Sequence, residues 1–210
     1  VGGFDPAMRL GEDVDLVWRL DEGGWVCRYE PAVEVLHDVR STLWTWLRQR
    51  AGYGFSATDL ALRHPGAVAP AQVSVWSAAS WGLAAAGWPL AGLVTASAST
   101  AALARKLPDS IGRVSVALRL AGLGHLHAGR TLGNAVARSW WPVSVLAALL
   151  SRRARRAVVA AAVVPALIEW WRVRGRIDPV RYVVLRALDD GAYGFGLWQG
   201  ALRRRSRSAL

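Results

Sequence analysis

Glu12 and Asp13 stand side by side where a loop, GGFDPAMRLG, gives way to a helix-like stretch, EDVDLVWRL. Carboxylates at a helix start are favoured by unpaired backbone N–H groups and by the macrodipole. The same terminus holds a carboxylate in its charged form and aims it from a fixed position, which is what a general base requires. Few other stretches offer reactive groups. His125 and His127 lie two apart in a glycine-rich segment, GRVSVALRLAGLGHLHAGRTLGNAVAR. Only a strand would turn both toward one metal and no third ligand is near, so a loop or helix-end role is expected for them. Cys27 is the single cysteine, which excludes an internal disulfide and a thiolate zinc site.

The elements that must position the acidic pair can be read from periodicity. Val14, Val17, Trp18 and Leu20 recur at helical spacing and DEGGW supplies terminating glycines, which predicts a short helix over Gly11–Leu20. Arg19 in that helix is expected to pair with a nearby acid. WVCRYEP alternates Trp25, Cys27 and Tyr29 with Val26, Arg28 and Glu30, and AVEVLHD repeats the period with Val33, Val35 and His37. A period of two predicts two short strands separated at Pro31. Beyond them, Ser41 or Thr42 is a candidate N-cap for an amphipathic helix carrying Leu43, Trp46 and Leu47 on one face, weakened at Gly52 and Gly54 and closed by Pro65.

The remainder has a different character. Residues 1–40 carry a net charge of −5 and the rest +16, nearly all of it arginine, with Lys106 the only lysine. From Pro65 to Ala104 there is no formal charge, and Gly87, Trp88 and Pro89 divide the run into two short apolar pieces. A second apolar pair, SWWPVSVLAALL and AVVAAAVVPALIEWW, is separated by SRRARR and flanked by Trp140, Trp141, Trp170 and Trp171. Tryptophan and arginine at the ends of apolar runs suit the headgroup level of a membrane, although each run is short for a crossing. Arginine clusters beside apolar segments fit anionic lipid better than a nucleic-acid groove, so no nucleic-acid partner is expected. The division expected is 1–64 and 65–210.

The pieces of the first region also have a recognisable order. GGFDP, GEDVDLVWRL, a glycine turn, YEP and VEVLHD follow one another as in the second half of the catalytic domain of inverting family 2 glycosyltransferases of the GT-A type. The chain resembles that family over residues 1–40 and more weakly to residue 65. With YGFSATDLALRHPGAVAPA, the arginine-flanked apolar helices and the late DDGAYGFGLWQG, it is similar over most of its length to the mycofactocin-system members of the family. The fold this implies is mainly α with a small α/β N-terminal piece, the acceptor-side remnant of a Rossmann-like domain, followed by a membrane-associated helical region.

The resemblance implies roles as well. Asp13 would be the general base that takes the proton from an acceptor hydroxyl as it attacks the anomeric carbon of a nucleotide sugar, and Glu12 would orient the acceptor. His37 would complete the coordination of a divalent metal, Mn²⁺ or Mg²⁺, on the nucleotide diphosphate. Arg50, in RQRAGYG, would be a diphosphate contact, although the tryptophan of the family's Gln-x-x-Arg-Trp element is missing there. The partners implied are a nucleotide-sugar donor, a peptide-derived or glycan acceptor receiving β-1,4-linked glucose, and membrane lipids, with the catalytic part on the cytoplasmic side of the cell membrane.

The chain opens with VGGFDP and lacks the family's nucleotide-binding strands and Asp-x-Asp. It therefore reads as a C-terminal fragment that alone transfers no sugar, since one histidine cannot hold a catalytic metal. Two alternatives carry different expectations: a non-catalytic membrane-surface protein in which the acids merely cap a helix, and a family 2 enzyme acting on a lipid or cell-wall acceptor.

Overall fold

The computed structural model of the chain describes residues 1–36, 40–109 and 112–210. It is mainly helical, and the described residues contain no strand. They divide into two compact units, one made of residues 1–69 with 188–210, the other of residues 70–187.

The first unit is built from α1 (Glu12–Glu22), α2 (Leu43–Arg63) and the second part of α9 (Pro179–Arg204). Gly11 precedes α1 with φ of 80°, a left-handed conformation that a side chain would strain, and a Cβ there would stand 3.1 Å from Leu60. Thr42 caps α2 by accepting a hydrogen bond from the Thr45 N–H at 3.2 Å. Of the glycines expected to weaken α2, Gly52 leaves room for the Leu10 side chain and Gly54 lets another helix approach. A Cβ on Gly54 would meet the carbonyl of Tyr193, one on Gly196 the carbonyl of Ala51, and one on Gly200 would lie 2.6 Å from Thr58 Oγ1. Around this contact the core is small-grained, with Ala57, Ala61, Leu197 and Ala209 buried together. Because backbone rather than a movable side chain occupies the space, Gly196→Ala is expected to destabilise the protein by ~1–3 kcal/mol through overpacking. Urea unfolding checks this; an unchanged midpoint would mean that the two helices are not in such close contact.

Among the described residues neither of the two expected strands forms. Residues 25–36 are irregular apart from a turn at Pro31 and Ala32, and they are exposed throughout. An alternating pattern becomes a strand only where a neighbouring backbone completes its hydrogen-bond ladder. No other extended segment among the described residues pairs with this one, so Trp25, Val26, Tyr29 and Val33 stand in solvent.

The second unit contains α3 (Val75–Ala85), α4 (Pro89–Lys106), a continuous helical run, α7 (Trp141–Leu150), α8 (Arg152–Val173) and the start of α9. The break expected at Gly87–Pro89 joins α3 to α4, and Pro89 starts the second helix where its missing N–H costs nothing. The run consists of α5 (Arg113–Ala117) and α6 (Leu123–Asn134), with π-turns at Leu118–Gly122 and Ala135–Ser139. Its glycines are contact points rather than breaks. The Trp81 ring lies over Gly129, and the Ala161 carbonyl is 3.1 Å from where a Gly133 Cβ would be. Ser151 separates α7 from α8 and caps the latter, accepting from the Ala154 N–H at 3.3 Å. None of the described helices is long and apolar enough to cross a membrane.

Candidate active site: a free carboxylate pair on a buried ion network

The first turn of α1 carries three acids, Glu12, Asp13 and Asp15. They have separate fates. Asp15 is 1% exposed and receives the Arg19 Nε–H at 2.8 Å, in the pairing expected for that arginine, and the His64 Nε2–H at 3.1 Å. Arg63 Nη1 lies 3.6 Å from the same carboxylate and Nη2 is 2.6 Å from Asp5. The other nitrogen of His64 is 2.6 Å from Glu22, and the ring stands edge-on to Trp18 at 5.1 Å. Arg19 also donates to the carbonyls of Val1 and Gly3, which ties down the opening loop.

His64 is 4% exposed and has a carboxylate on each ring nitrogen. A neutral imidazole would turn a lone pair toward one of them, so both nitrogens are protonated and donate. Burial disfavours that charge, but the hydrogen bonds and charges of Glu22 and Asp15 outweigh it and raise the imidazole above its ordinary 6.5. Burial also opposes the charge on Asp15, and the hydrogen bonds from His64 and Arg19 overcome it, lowering that carboxyl below its ordinary 3.8. With His64 protonated, three carboxylates face three cations.

The stability this network lends has two pH limits. A raised histidine contributes fully below pH 6.5 and its contribution fades as pH rises through the folded value above that. A lowered aspartate contributes fully above about 3.8 and fades as pH falls through the folded value below it. Urea midpoints are therefore expected to fall from pH 6 to pH 8.5, and His64→Asn should flatten that decline. A decline of equal slope in the variant would assign it to other groups.

Residues two apart on a helix point about 200° away from each other. Fixing Asp15 inward thus turns Asp13 outward. Asp13 is exposed and accepts only the N–H of its neighbour Val14, at 2.9 Å. Glu12 beside it is half-buried and has no hydrogen-bond or ion-pair partner among the described residues. The structure thus brings Glu12 and Asp13 together as unspent acceptors at one helix end. Arg50 lies in α2, with its guanidinium 3.1 Å from Asp189 and near the Tyr53 and Tyr193 rings at 5.5 and 6.0 Å. His37 lies outside the described residues. Among the described residues no group of three His, Cys, Asp or Glu could hold a metal ion.

Two curated proteins, both called Pre-mycofactocin glycosyltransferase, match the chain along its whole length. They come from Mycobacterium tuberculosis, strains CDC 1551 / Oshkosh and ATCC 25618 / H37Rv, and each is 43% identical over 220 residues, covering 100% of this chain and 47% of its own length. The chain is a relative of the pre-mycofactocin glycosyltransferases. It spans about half the length of the curated relatives it matches. No family model matches the chain, and no solved structure matches it.

Sequence reasoning missed His64 altogether. The available signal was the spacing of Asp15, Trp18, Arg19 and Glu22, which fall on one helical stripe. The apolar residues beside them drew the helix face wrongly: Val17 is 47% exposed while Asp15 is buried.

Proposed function

We propose that the chain is the acceptor-side part of an inverting glycosyltransferase that adds a sugar, glucose in the first instance, from a nucleotide sugar to the peptide-derived cofactor precursor named by its relatives. The observation that carries this reading is the whole-length identity of 43% to proteins of that name. The free pair at the start of α1 is its chemical counterpart. Asp13 takes the proton from the acceptor hydroxyl as that oxygen attacks the anomeric carbon, and Glu12 orients the acceptor by accepting from a second hydroxyl. Arg50 reaches a donor diphosphate by exchanging Asp189 for it, one anion for another.

His37 would lend one imidazole to the divalent cation, Mn²⁺ or Mg²⁺, that accompanies the diphosphate and neutralises its charge. A single ligand does not make a site, so the cation is held only together with residues outside this chain. The exposed strand-like segment 25–36 would then complete a ladder with further chain, forming the small α/β piece.

The second unit would rest on the cytoplasmic face of the cell membrane. Supporting this are Leu149 and Leu150, exposed at the end of α7, and four arginines, Arg152, Arg153, Arg155 and Arg156, immediately after them. Apolar area with adjacent cationic charge favours an anionic lipid surface.

The test is incubation of the full-length protein with a nucleotide-activated glucose and the precursor peptide, followed by mass spectrometry. Addition of hexose units is expected, and a precursor of unchanged mass would overturn the reading. Replacing the four arginines by glutamine is expected to reduce cosedimentation with vesicles containing phosphatidylglycerol by at least tenfold, given about 1 kcal/mol per arginine near such a surface. Unchanged cosedimentation would remove the membrane part of the proposal.

A further inference from the structure

The second unit contains a cavity of about 830 Å³ between α3, α4 and the run that starts at α5. Its walls are held by specific bonds. His125 joins three helices, its Nδ1 lying 2.9 Å from Ser77 Oγ of α3 and its Nε2 2.7 Å from Ser99 Oγ of α4. Trp81 donates its indole N–H to the His125 carbonyl at 2.7 Å. Gly92 lets α4 close against the Ser80 carbonyl of α3.

The lining is apolar along most of its length, with Leu93, Ala96, Ala101, Val114, Ala117 and Leu118 among its residues. Two of its hydroxyls are engaged with backbone, Ser80 donating to the Trp76 carbonyl at 2.7 Å and Thr100 to the Ala96 carbonyl at 2.8 Å, and Ser97 adds a third hydroxyl to the wall. Charge enters only through Arg105 and Arg113. Arg105 has no ion-pair partner among the described residues. Arg113 pairs with Asp109 at 2.8 Å, but both side chains are largely exposed, and such a pair is worth little.

A mostly apolar cleft favours an apolar ligand over a polar one, and two guanidiniums at its edge favour an anionic end. The volume lies in the range of about 300–1,000 Å³ used for single small ligands. We propose that this cavity takes one acyl chain of an anionic lipid, with the carboxylate or phosphate of its headgroup on Arg105 and Arg113. The site lies apart from Asp13 in the chain, and its occupancy does not depend on the transfer reaction.

The probe is 9,10-dibromostearate, whose bromines quench tryptophan fluorescence on contact, and Trp81 lines the cavity. Titration of the purified chain should show a saturable quench of one-site form. Gly122→Phe tests the cavity, because Gly122 lines it and a Cβ there meets nothing within 4 Å, so the backbone can accept a side chain at that wall. It should weaken the saturable quench about tenfold or more. The pair Arg105→Gln and Arg113→Gln, both at the surface, should weaken dibromostearate about tenfold and leave its uncharged methyl ester within twofold, as loss of a charge-assisted contact predicts. Inorganic phosphate should not displace the probe. A quench that never saturates, or that is the same in Gly122→Phe, would show adsorption to exposed apolar surface and overturn the proposal. Displacement by phosphate alone would overturn it too, since charge without a chain would then suffice.

Discussion

Asp15→Ala is expected to destabilise the first unit by ~3–5 kcal/mol, because it removes the buried carboxylate at the centre of the ion network, leaving Arg19 without a carboxylate partner and one nitrogen of His64 without an acceptor. Asp15 receives bonds from Arg19 and His64 at 2.8 and 3.1 Å and is 1% exposed, so water cannot replace it without opening the unit. The expected loss is a large part of the ~5–15 kcal/mol that stabilises an ordinary domain. His64→Ala should show a smaller loss, since Arg19 still pairs with Asp15 and Glu22 is itself 59% exposed and can turn to solvent. Urea unfolding of both variants measures this ordering. Equal and small losses would mean that the network is solvated and does not hold α1.

Asp13→Asn should leave stability almost untouched, because that side chain accepts only the N–H of Val14 and is exposed. Under the proposed function its effect falls on the reaction, where loss of a positioned general base costs ~10²–10⁴-fold in rate. An amide keeps the shape and one acceptor oxygen but cannot take a proton at neutral pH. The defect should therefore appear in kcat rather than KM. Glu12→Gln should do the reverse, raising KM for the acceptor with a smaller change in kcat, as expected for a residue that orients rather than reacts.

Helix positions were legible wherever local chemistry marks an end. Thr42 and the Gly87–Pro89 break are signals carried within a few residues, and each stands where a helix starts or stops. Partners distant in sequence were not legible. His64 meets Asp15 and Glu22 across more than forty residues, and nothing near His64 in the chain announces carboxylates. Gly54 of α2 and Gly133 of α6 were illegible for the same reason: each lies against the backbone of another helix, which local reading cannot see. Segment 25–36 failed differently. Its alternation is genuine, but a strand is a property of two backbones, and no paired segment stands beside it among the described residues.

Asp13 and Glu12 were legible as acids at the start of a helix, and the buried stripe beside them was not. That difference follows from polarity, because Asp15, Arg19 and Glu22 read as a solvated face until His64 and Arg63 are brought against them. The early sequence thus contains two sets of acids with opposite tasks. One set is neutralised to hold the helix, and the other is left free at its end.

The rate of sugar transfer per folded molecule, measured for full-length Asp13→Asn beside the unaltered protein with the urea midpoint of each, tests that division most directly. A rate lower by ~10²-fold or more at an unchanged midpoint is expected. A rate within threefold of the unaltered protein, at the same midpoint, would contradict it.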